Sequence, residues 1–168
     1  MKNATTPSLA HPGVLIATWF GAGLLRPAPG TWGSLAALPF AWAIMHYGDW
    51  RWLMGAAALL FPIGIWAANV YAARSGKEDA GPVVVDEVVG LWLTIAIATP
   101  LSIGHLGWFS WLLAFVCFRG MDIFKPWPVS WADSRVKGGL GVMLDDVLAS
   151  LYASGLVIIG EDLFRWML

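Results

Sequence analysis

The residues able to do chemistry gather in three places. The stretch Arg119 to Asp146, RGMDIFKPWPVSWADSRVKGGLGVMLDD, carries four carboxylates and four cations, in a chain with ten Lys or Arg and eleven Asp or Glu overall. Asp86 and Glu87 stand side by side in VVVDEVVGLWL, and GAGLLRPAPGTWGS (21–34) is dense in Gly and Pro. Carboxylates, cations and glycines in this combination suit phosphoryl chemistry. Oxygen-rich clusters favour Mg2+, which takes carboxylate and water ligands, and such an ion polarises phosphoryl oxygens. Arg and Lys neutralise the phosphate, and a glycine-rich lead into a helix lets backbone N–H groups approach an anion.

The candidate metal ligands and catalytic groups are Asp86, Glu87, Asp122, Asp145 and Asp146. One acidic pair in a helix's first turn is explained by the helix dipole, worth about 0.3–1 kcal/mol. Two pairs and a further Asp at one boundary of an apolar chain are costly unless neutralised. Arg119 and Asp122, three residues apart, share a helix face. Lys125 precedes Pro126, which disfavours helical geometry in the residue ahead of it and ends the helix there. The candidate phosphate contacts are Arg119, Lys125 and Lys137, with Gly138 and Gly139 leading into the last helix. Thr31, Gly33 and Ser34 supply backbone donors at another helix start, where Thr31 or Ser34 is the expected N-cap.

Other chemistries lack their residues. The single cysteine, Cys117, lies in the apolar run LLAFVCF with no Arg six positions on, so neither an intramolecular disulfide nor a cysteine-phosphatase loop is expected. His11, His46 and His105 lie outside all three clusters, and no GxxxxGK[ST] occurs. With a net charge of −1 and no basic stripe, nucleic acid is not an expected partner.

The elements that position these groups must be built from an unusual composition, 58% hydrophobic and 12% charged, where globular chains are about 25% charged. This predicts an all-α, integral membrane bundle of a single domain. Apolar segments run at about 34–47, 52–73, 88–105, 108–124 and 142–160, giving about five helices. Val14–Leu25 is too short for a span of about 20 residues and reads as a short N-terminal interfacial helix. Residues 1–10 read as a flexible tail and 11–168 as the domain. Alternating the segments across a membrane puts Lys2, Arg26, Arg74, Lys77, Arg119, Lys125, Arg135 and Lys137 on one side and only Arg51 and Arg165 on the other. The side that holds every polar motif is then cytoplasmic. Trp50, Trp52, Trp108, Trp127, Trp131 and Trp166 fall near segment ends, where an indole suits the membrane interface.

Two readings compete on these residues. One is a Mg2+-dependent phosphomonoesterase; the other is a small membrane transport or binding protein for a divalent cation or a phosphorylated ligand. A pathway calls for ionisable groups at mid-membrane depth, yet neither 52–73 nor 88–105 carries a charged residue.

Four stretches in order, GLLRPAPGTWGSLAALP, VVVDEVVGLW, FRGMDIFKPWPV and GGLGVMLDDVLA, resemble the phosphatidylglycerophosphatase A family. The resemblance implies a bacterial lipid phosphatase of the inner membrane that needs Mg2+. It implies hydrolysis of phosphatidylglycerophosphate to phosphatidylglycerol and phosphate at the cytoplasmic face, as a step of phospholipid biosynthesis. It also implies an all-helical fold with one central helix surrounded by others. The family's motif positions fall on Pro29, Gly30, Thr31, Gly33 and Ser34; on Asp86, Glu87 and Gly90; on Arg119, Asp122, Lys125, Pro126 and Trp127; and on Gly138, Gly139, Gly141, Asp145 and Asp146. The chain departs from the pattern at Leu25-Arg26, where family members commonly carry Ser before Pro.

Overall fold

A computed structural model describes residues 7–76, 81–101 and 107–167. Most of the expected tail, together with Lys77 and His105, lies outside the described residues. Among those described there are seven α-helices and no strand.

Helix α1, Pro12–Ala17, is capped by the His11 ring nitrogen, which accepts the Gly13 N–H. The helix expected across Val14–Leu25 breaks after it: Trp19 and Phe20 take φ of 43° and 58°, and a 3-10 turn follows at Ala22–Leu24. The break turns the Trp19 indole into the bundle, where it is 7% exposed and meets Trp92 edge-on at 5.6 Å. Helix α2, Pro29–Tyr47, opens on Pro29, whose fixed φ suits the first helical position. Thr31 and Ser34 therefore lie inside the helix, and neither caps it.

Helix α3, Trp50–Ser75, starts from Asp49, whose carboxylate accepts the Arg51 and Trp52 N–H groups, and ends at Gly76 in the left-handed conformation. Helices α4 (Val85–Leu101), α5 (Trp108–Phe124), α6 (Val129–Arg135) and α7 (Gly138–Met167) complete the chain. Helix α7 begins at Gly138, earlier than the hydropathy pattern suggests, so the glycines expected ahead of the helix form its first turn.

Helix α4 is the centre. Ten of its seventeen residues are buried, all round its circumference, as expected of a helix enclosed by others. It packs on α2, α3, α5 and α7. Helices α3 and α7 run antiparallel and close: a Cβ on Gly139 would sit 2.2 Å from the Ile65 carbonyl oxygen. The Gly139 N–H donates to Asn69 Oδ1 at 2.8 Å. At the far end, Phe109 of α5 stacks on Phe164 of α7 at 4.3 Å.

Among the described residues, two helices are long and apolar enough to cross a membrane, Trp50–Ser75 and Gly138–Met167. The other three apolar segments form helices of 19, 17 and 17 residues, at or below the about 20 that a span needs. The all-helical bundle with a central helix is as expected, and each of the five apolar segments carries a helix; among the described residues, two of those helices are of membrane length.

Candidate active site

The polar groups meet at one end of the bundle. Asp86 and Glu87 occupy the first turn of α4, which the Val84 N–H anchors to the Ala17 carbonyl at 2.8 Å. From the last turns of α5, the Arg119 guanidinium pairs with Asp122 at 2.7 Å and lies 3.6 Å from Glu87. This bears out the shared face expected from their spacing. Helix α5 stops at Lys125, left-handed at φ 46°, ahead of Pro126. A side chain in this conformation is strained. Here that side chain is tied down twice, to Asp145 at 2.8 Å and to Asp133 on α6. Asp145 and Asp146 are 7% and 2% exposed on α7. They lie in its third turn, beyond reach of the dipole at its start, so dipole complementation does not account for them.

Asp86, Glu87, Asp122, Asp133, Asp145 and Asp146 line a cavity of about 300 Å³ together with Lys125, Lys137 and Gly138. Asp86 Oδ1, Glu87 Oε2, Asp145 Oδ1 and Asp146 Oδ2 are buried without a hydrogen-bond donor among the described residues. Burial, the Glu87 charge and then Asp145 push the Asp86 carboxyl well above the usual range. Burial likewise raises Glu87 to about 7, with Asp86 and Arg119 pulling down and Asp146 and Asp122 pushing up. Burial would lower Lys125, but hydrogen bonds to Asp133 and Asp145 outweigh it and hold the ammonium charged. Orphaned carboxylate oxygens this crowded fit a hard divalent cation, because the donor set is oxygen throughout. Ligand atoms of Asp86, Glu87 and Asp146 lie within 4.8 Å of one another, as do those of Asp122, Asp145 and Asp146.

The five expected ligands thus come together, with Lys125, Lys137 and Gly138 beside them and Arg119 bracing Glu87 and Asp122 from behind. The rest of the expected phosphate set does not line the cavity. Gly139 gives its N–H to Asn69. Gly33 lies flat against Val84, where a Cβ would come within 2.5 Å. Ser34 is fully buried, and Thr31 is half-buried on α2. Helix α2 instead meets the site through Gly30, where a Cβ would stand 2.2 Å from Glu87 Oε1 and 2.9 Å from Arg119 Nη2. Its positive end therefore abuts a carboxylate. Sequence reasoning missed Asp133 and Asn69. An acid close after Lys125 in so poorly charged a chain was the available signal for the first; nothing in the sequence marks the second.

Fold and site define a class: an all-helical bundle with an acidic, cation-braced cavity at one end of its long apolar helices. The chain belongs to the phosphatidylglycerophosphatase A family, whose model matches residues 15–161. It is 39% identical over 150 residues to phosphatidylglycerophosphatase A of Escherichia coli K12, covering 89% of this chain and 83% of that one. It is also 39% identical to phosphatidylglycerophosphatase A of Haemophilus influenzae, covering 96% and 94%. A relative in Bacteroides thetaiotaomicron with the provisional name phosphatidylinositol-3-phosphatase is 39% identical over 92% and 94%. No solved structure matches the chain.

Proposed function

We propose that the protein hydrolyses the phosphomonoester of phosphatidylglycerophosphate, releasing phosphatidylglycerol and inorganic phosphate in phospholipid biosynthesis. The observation that carries this reading is the set of buried, unpartnered carboxylate oxygens around a cavity that also presents Lys125 and Lys137. Asp86, Glu87, Asp122, Asp145 and Asp146 would hold Mg2+, which when bound supplies Lewis-acid polarisation of the phosphoryl oxygens. Lys125 and Lys137 face the phosphate with positive charge, and the Gly138 backbone borders it. Arg119 keeps Glu87 and Asp122 in place through its two ion pairs. Water attacks phosphorus and gives a proton to a cavity carboxylate; the P–O bond to glycerol breaks, and that proton passes to the glycerol oxygen, which leaves as the alcohol. Crowded carboxylates at one end of the bundle suit a lipid head group at a membrane boundary better than a transport path through the middle.

Membrane association is supported by the two membrane-length helices. Exposed apolar faces on α5 (Leu112, Val116, Ile123) and α7 (Leu151, Leu156, Ile159, Leu163) support it too, as do exposed indoles at Trp52, Trp108, Trp127 and Trp166. The excess of Lys and Arg near the cavity argues for a multi-pass chain in the bacterial inner membrane with its site on the cytoplasmic side. Phosphate release from phosphatidylglycerophosphate by detergent-purified protein, with Mg2+ and then with EDTA, tests the reading. Phosphatidylinositol 3-phosphate run in parallel tests the head group, since relatives of equal identity carry both names. Metal-dependent release that favours phosphatidylglycerophosphate is expected; no release from folded protein refutes it.

A further inference from the structure

We infer that the cavity binds two divalent cations, with Asp146 as the ligand they share. The inference rests on the reading of the cavity as a metal-dependent phosphatase site and goes beyond it in nuclearity. The five carboxylates do not converge on one point. They form two triads, Asp86 with Glu87 on one side and Asp122 with Asp145 on the other, and Asp146 alone belongs to both. A carboxylate has two oxygens and can serve two ions.

Asp146 is also the most deeply placed of the five, 2% exposed, and its Oδ2 has no hydrogen-bond donor. Each triad holds further buried oxygens in the same condition, on Asp86 and Glu87 in one and on Asp145 in the other. An orphaned carboxylate oxygen is costly to bury. A single ion within one triad would leave the other triad's oxygen or oxygens uncompensated.

Formal charge points the same way. Asp133 and the five ligands give six carboxylates, against Lys125, Lys137 and Arg119, so three net negative charges remain. One divalent cation leaves the cavity negative and repulsive to a phosphate dianion. Two make it positive. Paired ions of this kind clamp both the attacking and the leaving oxygen in phosphoryl transfer.

The test is Mn2+ binding to the intact, detergent-purified chain without substrate, followed by elemental analysis and electron paramagnetic resonance. Two Mn2+ per chain with a spin-coupled signal are expected. Glu87→Gln and Asp122→Asn should each keep one uncoupled ion, and Asp146→Asn should lose the coupling. One uncoupled Mn2+ per wild-type chain overturns the inference, whatever the variants do. So does loss of all binding in both Glu87→Gln and Asp122→Asn when circular dichroism shows them folded. The outcome is separable from the proposed activity: phosphate release with one ion bound rejects the pair and keeps the phosphatase, whereas a coupled pair without phosphate release does the reverse.

Discussion

Gly30→Ala is a sharp probe of how the first motif serves the site. The added methyl would stand 2.2 Å from Glu87 Oε1 and 2.9 Å from Arg119 Nη2, where ordinary contact begins at 3.4 Å. Glu87 must therefore retreat by about 1.2 Å, out of the position in which Arg119 and α4 hold it. Misplacing a reacting group by about 1 Å costs roughly 100-fold in rate. The fold should suffer little, because Ala gains up to ~1 kcal/mol over Gly in a helix. That offsets much of an overpacking cost of about 1–3 kcal/mol, and the displaced atoms are ends of side chains, not backbone. Phosphate release in mixed micelles should fall by about 100-fold, with a thermal midpoint close to wild type. Undiminished release would show that the start of α2 does not set Glu87, and the role assigned to that motif would fall.

Gly139→Ala should act on the opposite balance: its methyl would meet the Ile65 backbone oxygen at 2.2 Å, which cannot swing away. A loss of about 1–3 kcal/mol is expected from unfolding measurements; unchanged stability would contradict the close crossing of α3 and α7. Lys125→Met removes the cation that faces Asp133 and Asp145 and should weaken lipid phosphate binding by about 10-fold or more, read as a raised KM, with Lys125→Arg recovering part of it. An unaltered KM refutes a phosphate contact at Lys125. Glu87 titrates near 7 in the folded, metal-free chain against 4.5 for the free side chain, so the folded state holds a proton that the unfolded chain has released. In EDTA, stability should therefore fall as pH rises from about 4.5 to about 7, by at most about 3–4 kcal/mol from this group, then level off. Saturating Mg2+ should flatten that slope, and stability rising over the same range in EDTA would overturn the assignment.

Much of the site was legible because short-range chemistry wrote it. The Arg119–Asp122 pair follows from helical periodicity alone, and Lys125 ends α5 because Pro126 follows it. The acidic groups Asp86-Glu87 and Asp145-Asp146 declare themselves by standing in apolar runs that have no use for charge. The predominance of helix follows from long apolar segments punctuated by Gly and Pro. These properties depend on residues within a turn or two of one another, and a sequence contains them whole.

What the sequence could not hold are distances between residues far apart along it. Asn69 and Gly139 meet across seventy positions, and that contact converts a supposed phosphate donor into a joint between α3 and α7. The same packing starts α7 at Gly138, which carries Asp145 and Asp146 into its third turn and removes the helix dipole as their explanation. Asp133 became part of the site only when α6 folded back toward Lys125. The split of five carboxylates into two triads around Asp146 is likewise a tertiary fact. Composition and local spacing determined which residues are candidates for the chemistry; the crossing of α3, α4, α5 and α7 decided which oxygens face one another, because only packing sets the distance between helices.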